Sequence, residues 1–141
     1  DSVITIGKGA FFACESLTSI VIPDSVTRIG NYAFEYCSSL TSVVIGDSVT
    51  TIGDYAFYSC GQLTNITIPA SVSQIKLQAF GYNSSLKEVY CKPTTPPSSE
   101  GSMFSSSVSG RKIYVPRASV DAYKTAYGWS NYTAEIEGYD F

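Results

Sequence analysis

Four cysteines and twelve carboxylates of this chain could act as nucleophiles, general acids or metal ligands, but its 141 residues include no histidine. Without histidine, Ser-His-Asp and Cys-His nucleophiles and all His-ligated metal sites are excluded. Asp24 and Asp47 stand at equivalent turn positions, but Ala70 ends that series. The other carboxylates that could form a glycosidase pair occupy unrelated positions, namely Glu15, Glu35, Glu88 and Glu100. We therefore predict no catalytic residue, no cofactor and no metal ion.

Three of the cysteines, Cys14, Cys37 and Cys60, recur at a spacing of 23 residues. A zinc site would require close pairs such as CxxC, and the sequence has none. Stacked equivalent residues direct their Cβ atoms in parallel about 5 Å apart, which is wider than the roughly 3.8 Å that a disulfide prefers. We predict buried free thiols, with a disulfide ladder as the alternative. Cys91 stands where the other units have isoleucine, so we expect it in the core as well.

The spacing of the cysteines is the period of the whole chain. Units of 23 residues begin at Ser2, Ser25, Ser48 and Ser71. Each unit has eight apolar positions, which in the second unit are Val26, Ile29, Ala33, Phe34, Cys37, Leu40, Val43 and Ile45. A single coil of this length cannot bury eight apolar side chains, whereas a stack of coils can, so the period predicts a solenoid.

Each coil is predicted to contain two extended pieces joined by turns. The LxxVxI run alternates as a half-buried strand does, and the second piece is Val26–Ile29, ended by Gly30, which we expect to need a positive φ. Asn31–Cys37 is expected to form a helical or 3₁₀ turn. The predicted fold is an α/β-type repeat solenoid, mostly β, with a right-handed coil and one parallel sheet. Its strands are expected near Leu17–Ile22, Leu40–Ile45, Leu63–Ile68, Leu86–Cys91 and Lys112–Val115.

The last third of the chain departs from the repeat. We divide the single domain into four repeats over residues 1–93 and a degenerate final repeat with a C-terminal cap over residues 94–141. In the cap, Ser119 is a fair N-cap and Gly128 a good stop for a helix. Val120, Tyr123 and Tyr127 would lie on its buried face. No cap precedes the first repeat, so we expect that end to fray or to self-associate.

Composition excludes several partners. The net charge of −3 and the isoelectric point near 4.8 provide no basic footprint for nucleic acid. No run of 18 or more apolar residues occurs, so no membrane-spanning segment is expected. No signal peptide is recognisable within the chain.

The pattern SVTxIGxxAFxxCxxLTxIxIPx resembles the BspA-like leucine-rich repeats of bacterial surface proteins. Three copies are nearly intact, a fourth over Ser71–Pro93 is weakened, and the tail IYVPRASVDAYKTAYGWSNY is similar to the family's usual ending. The resemblance implies a cell-surface or secreted protein, adhesion to host or neighbouring-cell proteins, and no catalytic residues.

Two surfaces are candidates for ligand binding. The first consists of the outward positions of the strands, which are flat, uncharged and rich in hydroxyls: Thr18, Ser19, Val21, Thr41, Ser42, Val44, Thr64, Asn65, Thr67 and Tyr90. The second is an aromatic set near the turns: Phe12, Tyr32, Tyr36, Tyr55, Tyr58 and Tyr82. Good strand formation by β-branched residues would explain the first set without a ligand, and packing between successive turns would explain the second, and in both cases this is the simpler interpretation.

Three functions are compatible with these features. The first is a non-catalytic extracellular module that binds a protein or glycan, and the second is a structural stalk of a longer surface protein. The third, a carbohydrate hydrolase that uses paired carboxylates, is disfavoured by the scattered positions of those residues.

Overall fold

The computed structural model describes residues 3–104 and 108–141. Its strands, in chain order, are β1 (Thr5–Ile6), β2 (Ser19–Ile22), β3 (Arg28–Ile29), β4 (Ser42–Ile45), β5 (Thr51–Ile52), β6 (Asn65–Ile68), β7 (Gln74–Ile75), β8 (Glu88–Cys91), β9 (Ser98–Ser99), β10 (Lys112–Pro116) and β11 (Ile136–Tyr139). The one α-helix of the described part is α1 (Val120–Thr125), flanked by 3₁₀ segments at Arg117–Ser119 and Ser130–Glu135. The described residues form the predicted stack of coils.

All strand pairs are parallel, as coils running in one direction require. The short second strands form one sheet in the order β1-β3-β5-β7-β9. The LxxIxI strands form two sheets rather than the single sheet expected: β2-β4, and β6-β8-β10-β11. Between the repeats, residues 23 apart are paired, for example Ile20 with Val43 and Ile66 with Val89, whereas β10 pairs with β8 one residue out of that period, as Ile113 does with Val89. The register therefore follows the sequence period, and the expected sheet is divided between β4 and β6.

The third side of each coil is a run of tight turns rather than the helical turn expected for Asn31–Cys37. Alternate amides close turns within the coil, and the others donate to the next coil, as Tyr32 does to the Asp54 carbonyl (2.9 Å) and Phe34 to the Ala56 carbonyl (2.7 Å). This alternation requires left-handed backbone at Tyr32 and Tyr36, with φ of 60° and 61°. A helix would direct all its amides along its own axis, so it could not join the coils.

The core is a column of stacked phenylalanine rings. Phe11, Phe34, Phe57, Phe80 and Phe104 follow one another with centroids 5.1 to 5.7 Å apart. The eight apolar positions of the second and third repeats are buried, with the exception of Val43, which is only partly buried. Phe104 lies in the segment assigned above to the degenerate final repeat. There β9 pairs with β7, and the Phe80 amide donates to the Met103 carbonyl (3.0 Å), so this segment forms a fifth coil.

The recurrent glycine has a different role from the one expected. Gly30 and Gly53 do not have positive φ. A Cβ atom on Gly53 would lie 2.7 Å from the Asn31 backbone nitrogen, and one on Gly30 would lie 2.7 Å from the Ile6 carbonyl oxygen. These glycines therefore allow two coils to approach closely, while the positive φ falls two residues later, at Tyr32 and Tyr55.

The C-terminal cap differs from the expected helix in two respects. Ser119 does not cap α1 through its side chain; its hydroxyl donates to the Thr94 carbonyl (2.7 Å). Tyr123 is buried as predicted and donates to the Pro93 carbonyl (2.5 Å), but Tyr127 is exposed because the helix ends before it. Trp129, rather than Tyr127, is the buried aromatic residue that follows the helix in the C-terminal cap. It packs edge-on against Phe104, with ring centroids 6.4 Å apart.

The last strand, β11, extends the sheet beyond β10. Three ion pairs join residues around the two strands: Arg111 with Glu135 (2.7 Å), Lys112 with Glu137 (2.8 Å) and Arg117 with Asp140 (2.9 Å). The Arg111 guanidinium also lies over the Phe104 ring, 5.0 Å from its centroid. Nothing in the repeat pattern predicts β11.

All four cysteines are free thiols, and Cys37, Cys60 and Cys91 are buried as predicted, whereas Cys14, which was also expected to be buried, is only half-buried. The Cys60 thiol donates to the Phe34 carbonyl (3.3 Å). Among the serines that begin the repeat units, the Ser71 hydroxyl donates to the Val49 carbonyl (2.7 Å), whereas the buried Ser25 hydroxyl has no hydrogen-bond partner. Ser2 lies outside the described residues.

Candidate ligand-binding surfaces

The first candidate surface is the outward face of the strands. Nine of its ten predicted residues are exposed, and Tyr90 is half-buried. Side chains two residues apart along β4 and β6 leave the same face because successive strand residues alternate between faces. Thr41 also has a structural role, since its hydroxyl donates to the Thr18 carbonyl (3.1 Å).

A seam divides this face between the second and third repeats. The Thr41 amide donates to the Thr18 carbonyl (2.8 Å), and the Lys87 amide to the Thr64 carbonyl (2.9 Å). The equivalent bond from Thr64 to Thr41 is not formed, and no ladder joins β4 to β6 among the residues the structure describes. The seam also explains why Val43 is partly exposed although coils lie on both sides of it.

The seam opens into a cleft of about 470 Å³ on the outward face. Five residues of the first predicted surface line it: Thr41, Ser42, Val44, Asn65 and Thr67. The structure adds Asp47, Pro69 and Lys92, which the sequence analysis did not select. Thr18, Ser19 and Val21 lie away from the cleft, on the first repeat.

An aromatic patch continues the face beyond the cleft. Tyr90 stacks on Tyr114 with centroids 5.1 Å apart, and Tyr139 packs edge-on against Tyr90 at 5.5 Å. The Phe141 ring follows, with its centroid 4.8 Å from that of Tyr139. Phe141 is 50% exposed and Tyr139 is 40% exposed. A second cleft, of about 270 Å³, lies against this patch and shares Thr67 and Lys92 with the first.

Of this patch, only Tyr90 was predicted from the sequence. A signal for Tyr114 was present, because the alternation of KIYVP places it in the row of Val44, Thr67 and Tyr90. No such signal existed for Tyr139 and Phe141, since β11 and the residues after it have no counterpart in the repeat.

The second candidate surface is a continuous aromatic cluster, and all six predicted residues belong to it. Phe12, Tyr36, Tyr58 and Tyr82 form an edge-to-face zigzag with centroids 5.3 to 6.1 Å apart. Tyr32 stacks on Tyr55 at 5.6 Å, and Tyr55 joins the zigzag through Tyr58 at 5.0 Å.

Burial raises the pKa of two ionisable side chains in and beside this cluster, Tyr58 and Glu35. Burial, together with the neighbouring Tyr82, raises the pKa of Tyr58. Burial also raises the pKa of Glu35, whose carboxyl lies close enough to Tyr58 to add to that shift. The cluster therefore presents aromatic rings in contact with one another across four coils, and the raised pKa favours the neutral phenol at Tyr58.

Two further structural features concern metal binding and membrane insertion. Across residues 3–104 and 108–141, no group of three or more cysteine and carboxylate residues is placed to hold a metal ion. No helix in the same part of the chain has the length and apolar character needed to cross a membrane.

Stacked coils in a 23-residue register, with parallel strands on one side and a closing cap, define a leucine-rich repeat protein. The family model for the BspA-type leucine-rich repeat region matches residues 4–133 in six copies, so the chain belongs to that family. A comparison with proteins of curated function finds no match.

Several solved structures are similar to this chain. A leucine-rich repeat protein from Bacteroides capillosus is 40% identical over 63% of each chain, with a TM-score of 0.59. The T. pallidum leucine-rich repeat protein is 25% identical over 96% of this chain and 62% of its own, with a TM-score of 0.73. A leucine-rich cell surface protein from Faecalibacterium prausnitzii is 35% identical over 80% of this chain and 30% of its own, with a TM-score of 0.59. This chain thus spans less than two thirds of each relative's length.

Proposed function

We propose that this chain is a non-catalytic interaction module that acts outside the cell or on its surface and binds a host or neighbouring-cell protein or glycan. Membership of the BspA-type family supports the role of an interaction module, and the F. prausnitzii relative described as a cell surface protein supports the location. The proposal is specific about its surface: the outward face of the strands is the binding face.

The observation that carries the proposal is the contiguity of exposed apolar and polar groups on that face. Val44 is 53% exposed beside the seam cleft, and the aromatic patch of Tyr90, Tyr114, Tyr139 and Phe141 adjoins it. Exposed apolar patches rimmed by polar residues are typical of interaction sites. Strand propensity alone does not account for an exposed phenylalanine after the last strand.

A second candidate function is a stalk. The coils are joined by parallel ladders, by the turn amides and by the phenylalanine column, which makes the stack a stiff spacer. On this hypothesis the exposed face has no ligand, and binding belongs to other parts of a longer protein.

The test is binding of the labelled chain to an array that carries matrix proteins and glycans. Two double variants of exposed residues are compared: Val44→Glu with Thr67→Glu on the strand face, and Tyr36→Glu with Tyr82→Glu on the aromatic cluster. We expect binding to be lost only with the first pair. Loss only with the second pair would move the site to the aromatic cluster, and absence of binding to every spot would favour the stalk.

A further inference from the structure

The seam cleft has a local cause in two residues at the same repeat position. A Cβ atom on Gly46 would lie 2.6 Å from the carbonyl oxygens of Ile22 and Pro23, so only glycine allows the second coil to lie this close to the first. Pro69, its equivalent in the third coil, has no amide hydrogen. One repeat later Lys92 donates its amide to the Ile68 carbonyl (3.0 Å), a bond that Pro69 cannot make to Ile45. The second coil therefore packs closely against the first, and the amide bond that would join it to the third at this position is missing.

The cleft cannot widen to admit another strand. On the opposite sides of the same two coils, Ile29 pairs with Ile52 and the Phe34 amide donates to the Ala56 carbonyl (2.7 Å). These contacts keep the second and third repeats together behind the seam. An extended peptide that paired with β4 or β6 would have to break them, so the occupant of the cleft is a small or narrow molecule.

The lining of the cleft favours hydroxyl groups as partners. Ser42 and Thr67 provide hydroxyls and Asn65 an amide, which both donate and accept hydrogen bonds. The Thr41 hydroxyl donates to the Thr18 carbonyl and provides an acceptor. Asp47 is the one carboxylate of the lining and Lys92 the one ammonium, so their charges cancel and the site complements a neutral ligand. Its volume of about 470 Å³ lies within the usual range of small-molecule sites, roughly 300–1,000 Å³.

The aromatic patch adds an apolar surface at the end of this polar cleft. Tyr139 and Phe141 border the second cleft, which shares Thr67 and Lys92 with the first. A pyranose ring combines the same two properties, because its hydroxyls form hydrogen bonds at the rim while its C–H face packs on an aromatic ring. Two adjoining subsites of this kind fit two sugar units of one chain.

We propose that the seam cleft and the aromatic patch together bind a neutral oligosaccharide, with one sugar unit between β4 and β6 and another against Tyr139 and Phe141. This inference rests on the proposed function as a binding module and names its ligand class and subsites. Gly46 and Pro69 are positioning residues, because they determine how the coils pack and offer no side-chain hydrogen bond to the sugar. Gly46 allows the second coil to lie close to the first, and Pro69 lacks the amide that would bond to Ile45.

The experiment is calorimetric titration of the whole chain with cellohexaose, maltohexaose, xylohexaose and mannohexaose, and with hexagalacturonic acid as an acidic comparison. Asn65→Ala tests the polar subsite, Tyr139→Ala the aromatic subsite, and Tyr82→Ala is a matched control, an exposed tyrosine on the other surface. We expect at least one neutral hexasaccharide to bind, and Asn65→Ala and Tyr139→Ala each to raise Kd about tenfold, which corresponds to ~1.4 kcal/mol. Tyr82→Ala should leave Kd unchanged, and thermal melts check that each variant is folded.

The outcomes separate this inference from the proposed function. Binding of a matrix protein without binding of any neutral hexasaccharide would overturn the sugar site and leave the interaction module intact. Binding of a hexasaccharide that Asn65→Ala and Tyr139→Ala do not weaken, or that Tyr82→Ala weakens equally, would place the sugar elsewhere and overturn the inference. Tighter binding of hexagalacturonic acid than of every neutral probe would contradict the assigned charge. No binding to sugars or proteins would refute both.

Discussion

At the scale of single residues, the buried thiols show how the repeat changes ordinary chemistry. Burial raises the pKa of Cys60 from 9.0 to about 12, and it raises the pKa of Cys91 to about 12 as well. Each thiol instead has a neutral partner, the Phe34 carbonyl for Cys60 and the Tyr123 hydroxyl for Cys91. A thiol is nucleophilic only as the thiolate, so these residues act as core groups in the folded protein.

These pKa values predict a loss of stability in alkaline solution. Because the folded state keeps a proton at Cys60 that the unfolded state loses, the stabilisation is complete below pH 9.0 and declines as the pH rises toward about 12. Cys60 alone should contribute a slope of up to ~1.4 kcal/mol per pH unit in that window.

Urea unfolding at several pH values between 7 and 10.5 measures this slope. Cys60→Ala should reduce the pH slope of the unfolding free energy by the contribution of one titrating proton. Val49→Ala, a core truncation without a titrating group, should lower stability and keep the wild-type slope. Equal slopes in all three proteins would mean that the thiol is not protected by folding.

A second residue-scale prediction concerns the glycines between coils. Gly53→Ala would place a Cβ atom 2.7 Å from the Asn31 backbone nitrogen, whereas Gly61→Ala meets nothing within 4 Å. Neither glycine has a positive φ, so the comparison isolates the close approach. We expect Gly53→Ala to cost about 1–3 kcal/mol, the usual range for overpacking, and Gly61→Ala to change stability by less than about 0.5 kcal/mol. If denaturant melts gave the same loss of unfolding free energy for Gly53→Ala and Gly61→Ala, the coils could move apart without cost at Gly53.

At the scale of elements, the seam between β4 and β6 should be visible in amide exchange. Lys87 and Glu88 donate their amides to the Thr64 carbonyl, at 2.9 and 3.3 Å, whereas Thr64 and Asn65 have no such bonds to the preceding coil. We predict that the Thr64 and Asn65 amides exchange faster than those of Lys87 and Glu88. Hydrogen exchange followed by NMR provides the comparison at equivalent positions of adjacent repeats. Equal protection would mean that the Thr64 and Asn65 amides are hydrogen-bonded to the preceding coil, so that neither the seam nor the cleft exists.

At the scale of the whole molecule, the phenylalanine column connects all the coils. Phe57 is fully buried between Phe34 at 5.1 Å and Phe80 at 5.4 Å. We expect Phe57→Ala to cost roughly 3–5 kcal/mol. Phe12→Ala is the matched control, because that ring is half exposed on the aromatic cluster and should cost much less. A denaturant melt showing a loss below about 1 kcal/mol for Phe57→Ala would mean that the column is not central to stability.

The two ends of the column are unlike. At the C-terminal end Trp129 and Tyr132 pack edge-on against Phe104. At the other end an apolar hollow of about 320 Å³ is lined by residues that include Ile6, Phe11, Ile20 and Val26. Phe11 and Ile20 are only partly buried there, although their counterparts Phe57 and Ile66 are fully buried.

The partial burial of Phe11 and Ile20 predicts that these 141 residues on their own either unfold locally at the first coil or cover the hollow by self-association. Fraying would give fast hydrogen exchange in residues 3–14 and slow exchange in residues 26–68. Association would give a mass that rises with concentration in analytical ultracentrifugation. A strict monomer whose first coil exchanges as slowly as its third would contradict both expectations.

The sequence by itself determined the coil, its core and its family. A period of 23 residues with eight apolar positions allows only neighbouring copies to cover those positions, so register and buried side chains follow from spacing alone. The outward strand residues and the aromatic cluster follow in the same way, since each is a row of equivalent positions.

Only the tertiary structure decided where the rows are interrupted. The seam depends on how close Gly46 lies to the first coil and on the amide that Pro69 lacks, which are contacts between coils rather than properties of one repeat. The aromatic patch depends on β11, which pairs with β10 after a segment that has lost the period. Periodicity predicts what every coil shares, whereas the candidate site lies where one coil differs from its neighbours, and such differences become visible only when the coils are in contact.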